Sequence, residues 1–93
     1  MTIAVGMRCV GRSPTTVWRS IESLHRAGLT AAPHFFVDGP FPELERLAQH
    51  GQVTWHARPA GGWPSFLLAA TELYLREPPA EHYLPVEDDV VFF

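Results

Sequence analysis

Short apolar runs that alternate with amphipathic segments constrain this chain more than any other feature of its sequence. Four runs have the length and composition of buried strands, and they cover residues 3–10, 34–39, 52–58 and 83–93. The segments between them carry apolar residues at helical spacing and cover residues 14–28, 42–51 and 65–77. Such alternation with short connections favours a parallel sheet with right-handed crossovers. The sequence therefore predicts an α/β fold with three layers, about four mostly parallel strands and the order βαβαβαβ.

Proline and glycine residues mark where the predicted helices begin and end. Ser13 suits the N-cap of the first helix and Pro14 its first position. Gly28 suits the left-handed residue that follows the same helix. The third helix is expected to turn a set of apolar side chains inward: Phe66, Ala69, Ala70, Leu73 and Tyr74.

The third apolar run differs from the other three in its pattern. From Gln52 to Arg58, apolar and polar residues alternate strictly. Alternation of this kind is typical of a strand with one face in the core and one in solvent. We therefore expect this strand to lie at an edge of the sheet.

Composition sets limits on the class of protein. The 93 residues suffice for one small domain, and the formal net charge of -3 gives no electrostatic case for nucleic acid. Cys9 is the only cysteine, so no disulfide forms within the chain, which fits a reducing cytoplasm. No apolar run approaches the ~20 residues of a membrane span, and the N-terminus lacks the pattern of a signal peptide. We therefore expect a cytoplasmic protein without a transmembrane segment.

Polar residues follow each predicted strand. Arg12 follows the first, Asp38 ends the second, Arg58 ends the third, and residues 87–89 end the fourth. In an open parallel sheet, ligands bind at the carboxyl ends of the strands, beside a switch in strand order. The topology thus predicts that these side chains face one crevice, with a composition suited to a phosphorylated ligand.

The acidic run Glu87-Asp88-Asp89 is the most unusual part of this set. It interrupts an apolar stretch, with Val86 before it and Val90 and Val91 after it. A charge run is usually a solvated surface, but adjacent anions inside an apolar run need partners. Carboxylate oxygens suit Mg²⁺ or Mn²⁺, and such a cation could bridge a diphosphate. We favour a metal or ligand role over a solvated surface.

Two further residues allow two interpretations each. Cys9 lies near the start of a predicted helix, where a thiol could be reactive, but a small buried core residue is the favoured interpretation. Trp63 lies in a loop of glycine and proline, where it either lines a pocket or pins the loop. The sequence does not decide between the two roles of Trp63.

Taken together, these motifs resemble the N-terminal, nucleotide-sugar-binding half of GT-A fold glycosyltransferases, which is Rossmann-like. The resemblance rests on the opening strand with Arg12, on Phe36-Val37-Asp38-Gly39, on the Gly61-Gly62-Trp63 loop and on Leu84 to Val90. It spans nearly the whole chain and is specific as an ensemble. The acidic run is similar to the D-x-D motif of that fold.

The resemblance implies a role for each matching residue. Asp38 would contact the base or ribose of a nucleotide sugar, and Arg12 would lie beside the nucleotide. Glu87 or Asp88 would reach the ribose or the donor sugar. Asp89 would ligate a Mn²⁺ or Mg²⁺ ion on the diphosphate, where the metal acts as a Lewis acid.

The chain also departs from the family pattern. The first acid of the run is Glu87 instead of aspartate, which changes its reach by one methylene. Members of this fold continue beyond the acidic motif to build the acceptor site. The resemblance therefore implies that these 93 residues are a single, incomplete donor-binding domain that cannot complete glycosyl transfer alone.

Two alternatives stay open at this stage. The first is a non-enzymatic α/β module that forms homo-oligomers through its apolar end, Val90 to Phe93. The second, a small phosphohydrolase-like enzyme, is less favoured because the sequence offers no evident nucleophile or second carboxylate site.

Overall fold

A computed structural model describes residues 3–11, 15–29, 32–76 and 80–89 of the chain. The strands are β1 (Ile3–Val10), β2 (His34–Asp38), β3 (Val53–His56) and β4 (His82–Glu87). The helices are α1 (Val17–Arg26), α2 (Leu44–Ala48) and α3 (Gly62–Arg76). All strand pairs are parallel, and the strand order is β3-β2-β1-β4. The predicted α/β class and the predicted parallel sheet of four strands are confirmed.

The side chains of β1 alternate between two hydrophobic clusters, one on each face of the sheet. Val5, Met7 and Cys9 belong to the larger cluster, which also contains the buried apolar side chains of α1 and Leu47 of α2. The smaller cluster contains the buried apolar residues of α3. The opposite face of β1 packs closely against α3. A Cβ atom added at Gly6 would lie only 2.9 Å from the Leu73 side chain. Cys9 is fully buried, as the favoured interpretation predicted.

The edges of the sheet follow from the strand order. β3 lies at one edge, which confirms the edge predicted from the alternating pattern. Trp55, which that pattern puts on the core side, is nevertheless 51% exposed. β4 forms the other edge and pairs with β1 in a register that sets Arg8 opposite Glu87. β1 is central and is paired along both sides.

The predicted helix ends are confirmed in part. Gly28 has a φ of 98° and donates its N–H to the His25 carbonyl, while the Leu29 N–H reaches the Leu24 carbonyl, so α1 ends in a Schellman motif. The predicted start at Pro14 is wrong. Thr16 is the N-cap and α1 begins at Val17, which fits the low helix propensity of the β-branched threonines before it. Ser13 and Pro14 themselves lie outside the described residues.

The third helix also differs from its prediction. It begins at Gly62, before the expected Ser65, and it buries Ser65, Ala69 and Leu73. Tyr74 was expected to face inward but is 63% exposed. Its ring contacts that of Tyr83 at the edge of the sheet instead of entering the core. Most of the large exposed apolar side chains belong to this helix: Trp63, Leu67, Leu68, Tyr74 and Leu75.

A polar contact joins α1 to the segment that carries α2. The Trp18 indole donates to Glu43 at 3.1 Å, and the Arg46 guanidinium lies 3.9 Å from the centre of the Trp18 ring while it pairs with Glu43. The hydrogen bond from Trp18, followed by that from Arg46, lowers the pKa of Glu43. α1 and α2 lie on the same face of the sheet, and α3 packs on the opposite face.

None of the helices in the described part of the chain is long and apolar enough to cross a membrane.

Candidate functional site

The order of the strands creates a switch point between β1 and β4. From β1 the chain moves outward to β2 and β3, and then returns through α3 to form β4 on the other side of β1. Because α1 packs on one face and α3 on the other, the carboxyl ends of β1 and β4 meet where the helices diverge. In parallel α/β sheets this position is where ligands bind. Residues 87–89 lie at this point.

Asp88 joins the ends of β1 and β4 to α1. Its side chain is buried, and its carboxylate accepts the Val10 N–H at 3.1 Å. Its own N–H donates to the Arg8 carbonyl at 3.1 Å, and its carbonyl accepts the Ser20 hydroxyl at 2.7 Å. Asp88 therefore holds three elements together, and its carboxylate is directed at the protein backbone.

Glu87 is paired with Arg8, the residue opposite it on β1. The Arg8 guanidinium donates from Nη1 to Glu87 at 2.9 Å and from Nε to the Ser65 hydroxyl of α3 at 2.8 Å. The side chains of Arg8 and Glu87 are 12% and 33% exposed. This pair connects both strands of the switch point to the first turn of α3, and it neutralises the charge of Glu87.

Asp89 differs from the two acids that precede it, because it is exposed to solvent. The acidic run thus divides into a paired carboxylate, a buried carboxylate and an exposed one. Among the residues that the structure describes, no group of three or more His, Cys, Asp or Glu side chains could hold a metal ion. Within this part of the chain, the acidic run does not by itself form a metal cage.

The exposed Asp89 still fits a cation that carries a diphosphate. Mg²⁺ is usually held by one or two carboxylates together with substrate phosphates, and it keeps several waters. Such a site needs no cluster of protein ligands before the nucleotide binds. Asp89 is the member of the run whose position suits this mode, and the metal assignment made from the sequence stays a prediction.

Asp38 lies at the end of β2 and is 6% exposed. Its two carboxylate oxygens accept the N–H groups of Ala60 and Gly61, at 2.8 and 3.2 Å. Gly61 has a φ of 89°, and its carbonyl accepts the Ser65 N–H, which begins α3. Asp38 therefore fixes the loop that leads into α3. Its expected contact with a base or ribose stays a prediction.

The start of α3 borders a shallow pocket beside the switch point. The pocket has a volume of about 310 Å³ and is lined by Arg8, Gly62, Trp63, Phe66 and Glu87. The Trp63 side chain is 74% exposed, and its ring meets Phe66 edge to face with their centroids 6.1 Å apart. Of the two roles left open for Trp63, the structure favours that of lining a pocket.

Two arginines complete the set predicted from the sequence. Arg12 lies outside the described residues, so its place beside a nucleotide stays a prediction. Arg58 is exposed and follows β3, which β2 and β1 separate from β4. The strand order therefore does not bring Arg58 next to the acidic run.

Arg8 and Ser65 belong to the site but were not expected from the sequence. Arg8 is a charged residue inside the otherwise apolar β1, and that interruption is a signal of the same kind as the acidic run. Ser65 carries no comparable signal, because its role depends on where α3 begins relative to β1.

A larger cavity lies at the other end of the sheet. It measures about 830 Å³ and is bordered by the amino ends of strands, with Ile3, His34 and Val53 among its walls. No Asp, Glu, Lys or Arg is among the described residues that line it. We therefore place the candidate site at the carboxyl ends of the strands, where the charged groups converge.

Comparisons of this chain with models of known protein families, with curated proteins and with solved structures gave no match.

Proposed function

We propose that this chain binds a nucleoside diphosphate sugar at the carboxyl ends of β1 and β4, as the donor-binding part of a metal-dependent glycosyltransferase of the GT-A fold. One observation carries the proposal. The acidic run lies at the switch point, with Asp88 anchored to the backbone of β1 and Asp89 exposed directly after it. A carboxylate on such an anchored turn suits a divalent cation shared with a diphosphate.

Other residues have supporting roles in this proposal. Asp38 keeps the start of α3 in place, and the proposal adds a contact between its carboxylate and the base or ribose. Of Glu87 and Asp88, the proposal puts Glu87 on the side of the ribose or donor sugar, because the Asp88 carboxylate is buried against the backbone of β1. It puts Arg12, which lies outside the described residues, beside the nucleotide. Asp89 would hold a divalent metal, which would supply Lewis-acid stabilisation to the departing nucleoside diphosphate. We assign no described residue as a catalytic base, so the proposed activity of the chain itself is donor binding.

Thermal unfolding with nucleotides tests this proposal. We expect a nucleoside diphosphate with Mn²⁺ to stabilise the protein, and a panel of adenosine, guanosine, uridine and cytidine diphosphates identifies the base. At 100 times its dissociation constant the ligand adds about 2.7 kcal/mol, which raises the Tm of a domain this small by about 10–20 °C.

The controls separate the metal from the nucleotide. Mn²⁺ alone is expected to give little or no shift, because the described residues form no metal cluster. If none of the four nucleotides raises the Tm with Mn²⁺ or Mg²⁺ present, the proposal is contradicted.

The assembly module stays the alternative. β4 is an edge strand and precedes the apolar end on which that hypothesis depends, although Val90 to Phe93 lie outside the described residues. Pro85 on β4 has no N–H to donate, which limits pairing along this edge. Light scattering that finds an oligomer, together with no response to any nucleotide, would favour this alternative.

A further inference from the structure

The pocket beside the acidic run combines a charged pair with aromatic rings. Arg8 and Glu87 form one wall, and Trp63 and Phe66 form another. The volume of about 310 Å³ is at the lower end of the roughly 300–1,000 Å³ found for small-molecule sites. A pocket of this volume suits a single sugar-sized ring better than a whole nucleotide.

The charged wall offers both donors and an acceptor. The guanidinium of Arg8 has more N–H groups than its contacts with Glu87 and Ser65 use. The Oε2 atom of Glu87 accepts from Arg8, and its Oε1 atom accepts no hydrogen bond from any residue that the structure describes. Adjacent hydroxyl groups, which both donate and accept, match such a pair.

The aromatic wall offers an apolar surface. Trp63 presents most of its indole to solvent, and Phe66 supports it edge to face. A pyranose ring carries hydroxyl groups around its rim and C–H groups on its faces. One face can therefore stack on the Trp63 indole while the hydroxyl groups hydrogen-bond to Arg8 and Glu87. Because Arg8 and Glu87 neutralise each other, an acidic sugar would compete with Glu87 for Arg8 and be repelled by it.

We propose that Arg8, Glu87, Trp63 and Phe66 form a subsite for an uncharged pyranose. This rests on the proposed function, in which Asp89, two residues after Glu87, lies at the diphosphate that carries the sugar. The subsite selects a neutral hexose over the corresponding uronic acid and gives the nucleotide sugar an affinity above that of the nucleotide alone.

Titration calorimetry with Mn²⁺ tests the subsite. The probes are UDP, UDP-glucose and UDP-glucuronic acid, with GDP and GDP-mannose as a second series. In wild-type protein we expect the nucleotide hexose to bind about tenfold more tightly than its nucleoside diphosphate. Trp63→Ala is expected to remove that advantage and to leave the Kd of the nucleoside diphosphate unchanged. Leu75→Ala, at a similarly exposed position of α3 outside the pocket, serves as the control and changes neither value.

Glu87→Gln tests the charged wall by a second route. The variant removes the charge that opposes an acidic sugar and leaves Arg8 in place. We expect the preference for UDP-glucose over UDP-glucuronic acid to fall about tenfold. An unchanged preference overturns the selection assigned to the pair.

The outcomes distinguish the subsite from the proposed function. If none of the four nucleoside diphosphates of the thermal panel binds wild-type protein, the proposed function fails and the subsite fails with it. If a nucleotide binds but Trp63→Ala leaves the hexose advantage intact, the subsite alone is overturned. If Trp63→Ala weakens nucleoside diphosphate and nucleotide sugar equally, the indole stacks on the base, which also overturns the subsite.

Discussion

Replacing Asp88 with alanine lowers the free energy of unfolding by about 1–3 kcal/mol, because a backbone N–H loses its hydrogen bond to a buried, charged acceptor. The donor is the Val10 N–H at the end of β1, which bonds to the Asp88 carboxylate at 3.1 Å. A domain of 93 residues has a small stability margin, so this loss is a large fraction of its total stability. Urea denaturation followed by circular dichroism measures the change.

Asp89→Ala is the matched control for this effect. The two residues are adjacent and carry the same side chain, but Asp88 is buried and Asp89 is exposed. Substitutions at exposed positions usually change stability by no more than about 0.5 kcal/mol. Equal losses for the two variants would contradict the division of the acidic run into a buried anchor and an exposed ligand.

Asp89→Ala is expected to abolish the stabilisation that a nucleoside diphosphate and Mn²⁺ give to the wild-type protein. At a ligand concentration of 100 times the wild-type Kd, the lost stabilisation is about 2.7 kcal/mol. The reason is that the proposed site supplies the metal with Asp89 and relies on the phosphates for the remaining ligands. Thermal unfolding of both proteins, with and without ligand, measures the difference.

Glu45→Ala is the control for charge. Glu45 is an exposed carboxylate on α2, so its removal changes the net charge as Asp89→Ala does but lies outside the site. It should respond to nucleotide and Mn²⁺ as the wild type does. Retention of the full metal-dependent shift by Asp89→Ala would remove Asp89 from the site.

The architecture was predictable because it depends on patterns that are local in the sequence. Alternating strands and helices predicted the parallel sheet, and the alternating polar residues of β3 predicted an edge. Helix boundaries were less predictable. Pro14 is a good first residue in isolation, but Thr16 is the N-cap and α1 begins at Val17.

The location of the acidic run was predictable and the roles of its members were not. The sequence placed residues 87–89 at the end of a strand, where the structure also has them. The separate roles of Glu87 and Asp88 depend on the register of β4 against β1, which sets Glu87 opposite Arg8. Such a register joins residues almost eighty positions apart, and no local pattern reveals it.

The location of Asp38 was also predictable, whereas its hydrogen-bond partners were not. An aspartate followed by glycine at a strand end indicates either a turn or a ligand contact. In the folded chain its carboxylate reaches the loop before α3, a distant segment that the sequence does not mark as its partner. Its structural contact was therefore out of reach of sequence reasoning, although its place at the end of β2 was predicted.

Paramagnetic broadening by Mn²⁺ tests the central claim most directly, because it locates the metal. Amide NMR spectra of the wild-type protein are recorded with the preferred nucleoside diphosphate, first with Mg²⁺ and then with traces of Mn²⁺. We predict the strongest broadening of the amide signals at Val10 and at residues 87–89. We predict the weakest broadening at the amino ends of the strands, around Val53. Strongest broadening at the amino ends of the strands, or none at residues 87–89, would contradict a diphosphate and metal site at the β1/β4 switch point.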